Sequence, residues 1–259
     1  MPSSLKLYTS EVMESISSIT AGSTASGTAA WNLVNDDLDT YWAPTGVTLE
    51  IVTFDFGSAK AVSAFSMFIR NFAGVSGNIL IQWSDNNTDW NTSDYATIVG
   101  TAGPIRIYNF TEGTHRYWRF VVALTTVAVE ISYAAFGTYY AITKGNELPE
   151  NEEDTFPHVV MDRQDGRQDV SPGARYSYQV IPRTYYFFDS TNFNALRNAW
   201  LDSQGCRFWL VLQEGSAYSD AKLVRFVDKT FPQGKQNMDI YRKSVTYREI
   251  PYIRKGEVL

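Results

Sequence analysis

The chain has 259 residues, a formal net charge of −6 and a sequence pI near 5.0, so no global basic field exists for nucleic acid or an anionic membrane, and neither is expected as a partner. Hydrophobic residues at 44%, aromatics at 15% and 17 glycines describe a globular, strand-rich chain with room for two compact units, and exclude disordered and collagen-like classes. The single cysteine, Cys206, excludes an intrachain disulfide and points to synthesis in a reducing cytoplasm; beside Gly205 and Arg207 it reads as a small buried hydrophobe rather than a nucleophile.

Met1 to Tyr8 lacks the charged start and apolar core of a signal peptide, and no later stretch approaches a membrane span in length. Residues 15–30 are mostly Ser, Thr, Gly and Ala, the composition of a loop or a short weak strand. They lead through Trp31, Leu33 and Val34 into Asn35-Asp36-Asp37-Leu38-Asp39-Thr40-Tyr41-Trp42, which sets three carboxylates and a hydroxyl against two large rings. Asp and Asn favour turns while Tyr41 and Trp42 anchor onto a core, so the run predicts a rigid acidic loop. Oxygens clustered this closely suit a hard cation such as calcium. The run lacks the EF-hand order of ligands, and a solvated acidic turn capping a helix start explains the residues as well.

Val47 to Phe56 alternates apolar and polar positions, with Leu49, Ile51, Phe54 and Phe56 offered to a core, and Gly57 ends it as a strand. Val62 to Ile69 and Asn78 to Trp83 predict two more, separated by the loop 73–77. Ser84 to Trp90 is a turn whose Asp-Asn-Asn core tolerates left-handed backbone. Arg116 to Val122 alternates with period two, with Tyr117, Arg119 and Val121 on one face and Trp118, Phe120 and Val122 on the other. Ala128 to Phe136, closed by Gly137, is the last strand of this half. Many short strands with no convincing helix imply an antiparallel sandwich or jelly roll.

In order, these motifs resemble the discoidin, or coagulation-factor C-type, domain of the galactose-binding-like superfamily. The likeness rests on Asn35 to Trp42, Val47 to Gly57, Ser84 to Trp90, Arg116 to Phe120 and Val129-Glu130-Ile131 before Gly137, and it assigns residues 1–142 to a jelly-roll sandwich. The resemblance implies a structural calcium held by the acidic loop and a Glu from the last strand, which carries over to Asp37, Thr40 and Glu130. Asn35 stands where the first Asp is usual, Asp36 replaces a glycine, and the family's terminal cysteine pair is absent. Lectin members hold sugars at loops on one end of the barrel, often with an Arg just after a strand. Arg70-Asn71-Phe72 occupies such a place, and a loop Arg paired with a nearby carboxylate is the bland alternative.

Lys144 to Asp154 carries five acids and almost no apolar residue, as a linker or exposed loop would. Beyond it, Tyr176 to Pro182 alternates as a strand and Tyr185 to Phe188 is an aromatic run. Ser190 opens a helix with Phe193, Leu196, Ala199 and Trp200 on one stripe and Gly205 as its stop. Strands are predicted over Arg207–Leu212, Ala221–Phe231 and Met238–Arg248. This order resembles the tail-tube-like β-barrel of phage tail proteins, in particular the ring-forming domain of distal tail proteins, and assigns residues 143–259 to a barrel with one α-helix. What that implies is a structural component of a virion tail tip, made in the host bacterial cytoplasm. It would form a homo-hexameric ring, with tail tube, hub and fibre proteins as partners and the first domain facing a surface glycan or tail protein. Tyr185, Tyr186, Phe187, Met238 and Ile240 are the candidate subunit contacts, although the same aromatics can fill a barrel core. A stand-alone carbohydrate-binding lectin or host-receptor-binding protein is the alternative. His115 and His158, the two histidines, stand near no nucleophile motif, and nothing in the sequence points to an enzyme.

Overall fold

The computed structural model describes residues 5–35, 37–72, 75–98, 104–123, 125–142, 153–155, 158–162, 168–172, 178–187, 190–203, 210–213, 221–226, 235–237 and 240–249. Asp36, Phe188, Gly205, Cys206, Met238 and residues 143–152 of the acidic stretch lie outside the described residues. The strands are β1 (Leu5–Tyr8), β2 (Ser18–Ala21), β3 (Leu49–Ile69), β4 (Gly77–Ser84), β5 (Asn91–Ile98), β6 (Ile105–Ala123), β7 (Ile131–Gly137) and β8 (Tyr139–Ile142). They continue as β9 (Glu153–Thr155), β10 (His158–Asp162), β11 (Gln168–Pro172) and β12 (Tyr178–Phe187), then the helix α1 (Ser190–Asp202). The last are β13 (Leu210–Gln213), β14 (Ala221–Phe226), β15 (Lys235–Asn237) and β16 (Ile240–Glu249). The chain is mainly β with one described α-helix, as expected, and no helix among the described residues is long and apolar enough to cross a membrane.

The sandwich is built from β2 to β7. Its large face runs β2-β3-β6-β4-β5. Its small face forms where the far half of β3, Ala64 to Ile69, takes β7 on one side and the start of β6 on the other. The sequence predicted two strands separated by Gly57. Instead one strand runs through, because Gly57 adopts φ 70 and the β3–β6 register shifts between Asp55 and Lys60 and again between Val62 and Ala64. A glycine in left-handed backbone at a bulge bends the strand without ending it, so β3 turns the corner from one face to the other. Between the faces Trp42, Phe54, Phe65, Trp118, Phe120 and Phe136 are all fully buried. Phe65 and Phe136 meet at 4.6 Å, and each such ring stabilises the fold by roughly 1.5–3 kcal/mol through burial.

β7 is buried along its whole length, which one sandwich cannot achieve alone. Ala134 and Phe136 point into the sandwich core, whereas Tyr133 and Ala135 join Ala64, Phe68, Ile105 and Ile107 in a second cluster. That cluster also contains Tyr8, Val211 and Leu223 of β1, β13 and β14. A strand covered on both faces reads as a near-continuous apolar run, as Ile131-Ser132-Tyr133-Ala134-Ala135-Phe136 does.

The covering layer is an eight-stranded sheet in the order β8-β1-β13-β14-β16-β12-β9, with β15 on β16. Leu5–Tyr8 and Tyr139–Ile142, which open and close the span 1–142 read from the sequence, pair with each other in this sheet, and β1 pairs with β13. The β1–β13 pairing therefore crosses the boundary drawn at residue 142, and the sandwich leaves and re-enters the sheet at adjacent strands. Strand, helix and returning strands follow one another as expected, with Phe193, Leu196 and Ala199 of α1 buried. Among the described residues the sheet path runs from β8 to β9 with one helix beside it, and the expected barrel is not shown.

Candidate functional site

The acidic loop is fastened to β7. Trp42 and Ile131 exchange backbone hydrogen bonds at 2.8 and 2.9 Å, and the Ser132 hydroxyl donates to the Leu38 carbonyl at 2.8 Å. With Trp42 wholly buried and Leu38 nearly so, the polar residues between them are held at the surface. Asn35 Oδ1 accepts the Asp37 N–H at 3.2 Å and Asp37 Oδ1 accepts the Asp39 N–H at 2.9 Å, two successive Asx turns of the kind these residues favour.

The loop after β3 lies against this one. The Arg70 guanidinium donates through Nη1 to the Asp39 carbonyl and sits over the Tyr41 ring, 4.9 Å from its centroid. Its backbone N–H donates to the Glu130 carbonyl at 2.8 Å. Asn71 clamps the same segment: Nδ2 donates to the Ala128 carbonyl at 2.8 Å, and Oδ1 accepts the Glu130 N–H at 2.9 Å. Phe72 is partly buried against the sandwich core. The structure thus gathers the two residue groups proposed from sequence, Asn35 to Thr40 with Glu130 and Arg70 to Phe72, into one loop cluster. Within it Asn71 bonds the backbone of the 128–130 segment and Phe72 is partly buried against the core. Arg70 and Tyr41 form the surface.

Of the calcium ligands implied by the resemblance, Asn35, Asp37 and Thr40 bond one another within the loop. Calcium requires six to eight oxygens aimed at one point. Asn35 instead turns its amide nitrogen, the donor end, toward Thr40 Oγ1 at 2.6 Å, an orientation its Oδ1 contact with the Asp37 N–H fixes. The Thr40 hydroxyl donates to the Asp37 carbonyl at 3.0 Å, closing the loop on itself. Among the described residues no three His, Cys, Asp or Glu are grouped to hold a metal.

In the other sheet, Tyr185, Tyr186 and Phe187 pair in register with Lys243, Arg242 and Tyr241, and Ile240 pairs with Asn237. These candidate contacts are thus strand residues on β12 and β16. His158 begins β10. His115 lies within β6: it stacks on Trp83 with centroids 3.5 Å apart and its Nδ1 is 3.0 Å from Asp85 Oδ1. The sequence reading missed this stack and the pair Arg119 with Trp90, although the alternation of β6 already placed Arg119 opposite the core. A turn with tryptophans at both ends was the available signal.

Residues 32–120 match the family model of the NedA-like, galactose-binding domain. The sandwich is accordingly galactose-binding-like, and its acidic loop, Arg70 and Arg119 all lie inside the match. No curated protein matches the chain. Solved structures it is similar to include the CBM32 of AlyQ in complex with 4,5-unsaturated mannuronic acid, at 24% identity over 47% of this chain and 94% of that one, TM-score 0.43. Another is a chitosan-binding module from a chitosanase/glucanase of Paenibacillus sp. IK-5, at 22% identity over 47% and 94%, TM-score 0.42. A third, from Clostridium perfringens, is CpGH89CBM32-5 in complex with GalNAc-β-1,3-galactose, at 11% identity over 50% and 99%, TM-score 0.44.

Proposed function

We propose that the sandwich is a glycan-binding module and that its contact surface is the loop cluster around Arg70, with a binding rather than a catalytic role. The observation that carries this is the stacking of the Arg70 guanidinium on Tyr41 beside Asp39, inside the segment that matches a galactose-binding family. An aromatic plane takes the apolar face of a pyranose, and the remaining Arg70 N–H groups donate to ring hydroxyls. The exposed Asp37 and Asp39 carboxylates accept from others. Exposed Val47, Leu49 and Val127 flank the same end, which suits the uneven polarity of a sugar.

The test is calorimetric titration of the whole protein with neutral galactose-containing oligosaccharides. Arg70→Ala should weaken binding by about tenfold or more, as expected for one charge-assisted hydrogen bond. Tyr41→Ala should do likewise. Equal affinity in wild type and both variants would remove the loop cluster from the site.

A second reading carries forward the resemblance of residues 143–259 to the ring-forming domain of a phage distal tail protein, for which a strand, a helix and returning strands are expected; here the order is β12, α1, β13, β14 and β16. On that reading the sheet assembles into a ring at a tail tip, through β12 and β16, and the sandwich displays the glycan site outward. Negative-stain images of purified protein and of tails test it, and finding this chain only away from a tail tip would end it.

A further inference from the structure

The outer surface of the large face is organised around one arginine. Phe54, Trp118 and Phe120 point into the core, so by the period of two Thr53 and Arg119 point to the opposite side. Register then sets Thr20, Thr53, Arg119, Gln82 and Thr92 side by side across β2, β3, β6, β4 and β5. At the ~4.8 Å spacing of paired strands this polar row spans roughly 19 Å, the length of an extended chain rather than a single ring.

Arg119 sits at the centre of the row, half-buried. Its Nε donates to Gln82 Oε1 at 2.8 Å, and its guanidinium lies 3.9 Å from the centroid of the Trp90 ring. Both partners are neutral. Gln82 is held in turn by its Nε2 donating to Thr92 Oγ1 at 3.1 Å. Nη1 and Nη2 have no carboxylate partner among the described residues, and burial lowers the pKa of the group without a compensating acid. The contrast is three residues away: Arg116, stacked over Tyr117, gives both Nε and Nη2 to Asp55 at 2.8 and 2.9 Å. Arg116 is neutralised by Asp55, whereas the fork of Arg119 has no such partner among the described residues. A half-buried cation without its anion is an electrostatic cost that a carboxylate of matching geometry would relieve.

The geometry points to a second ligand site on this face, for an acidic polysaccharide whose uronate carboxylate pairs with the Arg119 fork against the Trp90 ring. Hydroxyls along the sugar chain meet Thr20, Thr53 and Thr92, and the Tyr117 ring borders the row. A uronic acid polymer supplies all three features in one linear molecule: a planar anion, a flat ring and periodic hydroxyls. The site is distinct from the Arg70 cluster and stands or falls separately.

The test titrates the whole protein with a hexameric oligouronate and with a neutral oligogalactan of the same length. Arg119→Gln should weaken oligouronate binding by about tenfold or more while leaving the neutral ligand unchanged. Arg119→Lys should fall between, because it keeps charge and loses the fork. Arg70→Ala should leave the oligouronate affinity unchanged. Amide chemical shifts of wild-type protein give a readout without any substitution, with oligouronate moving Thr53, Arg119, Gln82 and Thr92. No oligouronate binding by wild type, shifts confined to the Arg70 loops, or full affinity in folded Arg119→Gln would each overturn the site.

Discussion

The sandwich has two outer faces, and they have opposite fates. The small face carries Ala64, Phe68, Ile105, Ile107, Tyr133 and Ala135 and is covered by β1, β13 and β14. The large face carries Thr20, Thr53, Arg119, Gln82 and Thr92 in one row and takes no part in that joint. The difference shows how one strand pair serves both purposes. β3 and β6 each cross the corner at the bulge near Gly57, so the same two strands present an apolar joint at one end and a polar, ligand-type surface at the other. Binding chemistry is therefore to be sought on the large face and at the loops, and structural coupling on the small one.

The sharpest way to break this comparison is at Gly137, where β7 meets the chain leaving β1. A Cβ built there would lie 1.7 Å from the Thr9 carbonyl oxygen and 2.6 Å from its carbon. Both are backbone atoms, and the Thr9 N–H is itself bonded to the Thr138 carbonyl at 3.0 Å, so neither side can move without opening the joint. Gly137→Ala should cost more than about 3 kcal/mol in denaturant unfolding. Gly27→Ala is the control. That residue also has positive φ, 81, but nothing stands within 4 Å, so only the left-handed backbone cost of about 1 kcal/mol should appear. Equal losses in the two variants would mean that the joint is loose.

The two faces should also titrate in opposite senses. Behind the small face, burial raises the pKa of Glu11, which accepts from the Thr9 and Thr138 hydroxyls, and burial raises that of Asp202, which accepts from the Tyr140 hydroxyl. A carboxyl with a raised folded-state pKa favours the fold fully below its ordinary value, 4.5 for Glu11, and loses that contribution as pH rises through the raised one. Stability of the joint should therefore decline from mildly acidic toward neutral pH. Glu11→Gln should flatten the decline in thermal melts across that window. A decline of undiminished slope in Glu11→Gln would place the titrating group elsewhere.

How much of this the sequence carried follows from which physics is local. Alternation marked the strands in Leu49 to Phe56 and Arg116 to Val122 and the inward Trp118, Phe120 and Val122, but Leu49 and Ile51, offered to the core with Phe54 and Phe56, have the opposite parity: Leu49 is exposed and Val52 takes the inward place. Gly57 was misread as a stop, since a glycine that ends a strand and one that bends it look alike until the register shift is seen. Leu5 to Tyr8 carries too few residues to show a period, and its partner lies in β13, so its place in the other sheet was not legible. Arg70 could be picked out by its position after a strand. That Asn71 holds backbone, Phe72 packs inward and Tyr41 takes the ring contact depends on the approach of three loops. For Arg119 the face was legible, and the missing carboxylate was not.

A smaller effect is expected at the acidic loop, which reaches both regions through Leu38 in the joint and Arg70 in the open cluster. Because the Asn35 amide nitrogen occupies the place facing Thr40, wild-type melting should not move with millimolar calcium or with chelator. Asn35→Asp would bring a carboxylate against Thr40 in an already acidic loop. It should lower the melting point in chelator, with calcium restoring it by binding only the folded state. A calcium-dependent rise in wild type would show that the loop rearranges around an ion.

The smallest effect belongs to the large face and completes the titration argument. The Arg116 guanidinium holds the Asp55 carboxylate below its ordinary pKa by direct hydrogen bonds, with the Gly57 N–H adding a third at 2.7 Å. A lowered folded-state pKa contributes stability above the ordinary value, 3.8, and loses it as pH falls through the depressed one, the reverse of Glu11. Arg116 is 42% exposed, so solvent screens the pair and its contribution is small. Asp55→Asn should therefore cost little at pH 7 and nothing at the acid end of the melt series. At the same time it should leave Arg116 as a second unpaired cation on the face. If Arg119 alone recruits a uronate, the variant should bind the oligouronate at least as tightly as wild type. Weaker binding would show that Asp55, through the Arg116 stack on Tyr117, helps to hold the surface in shape.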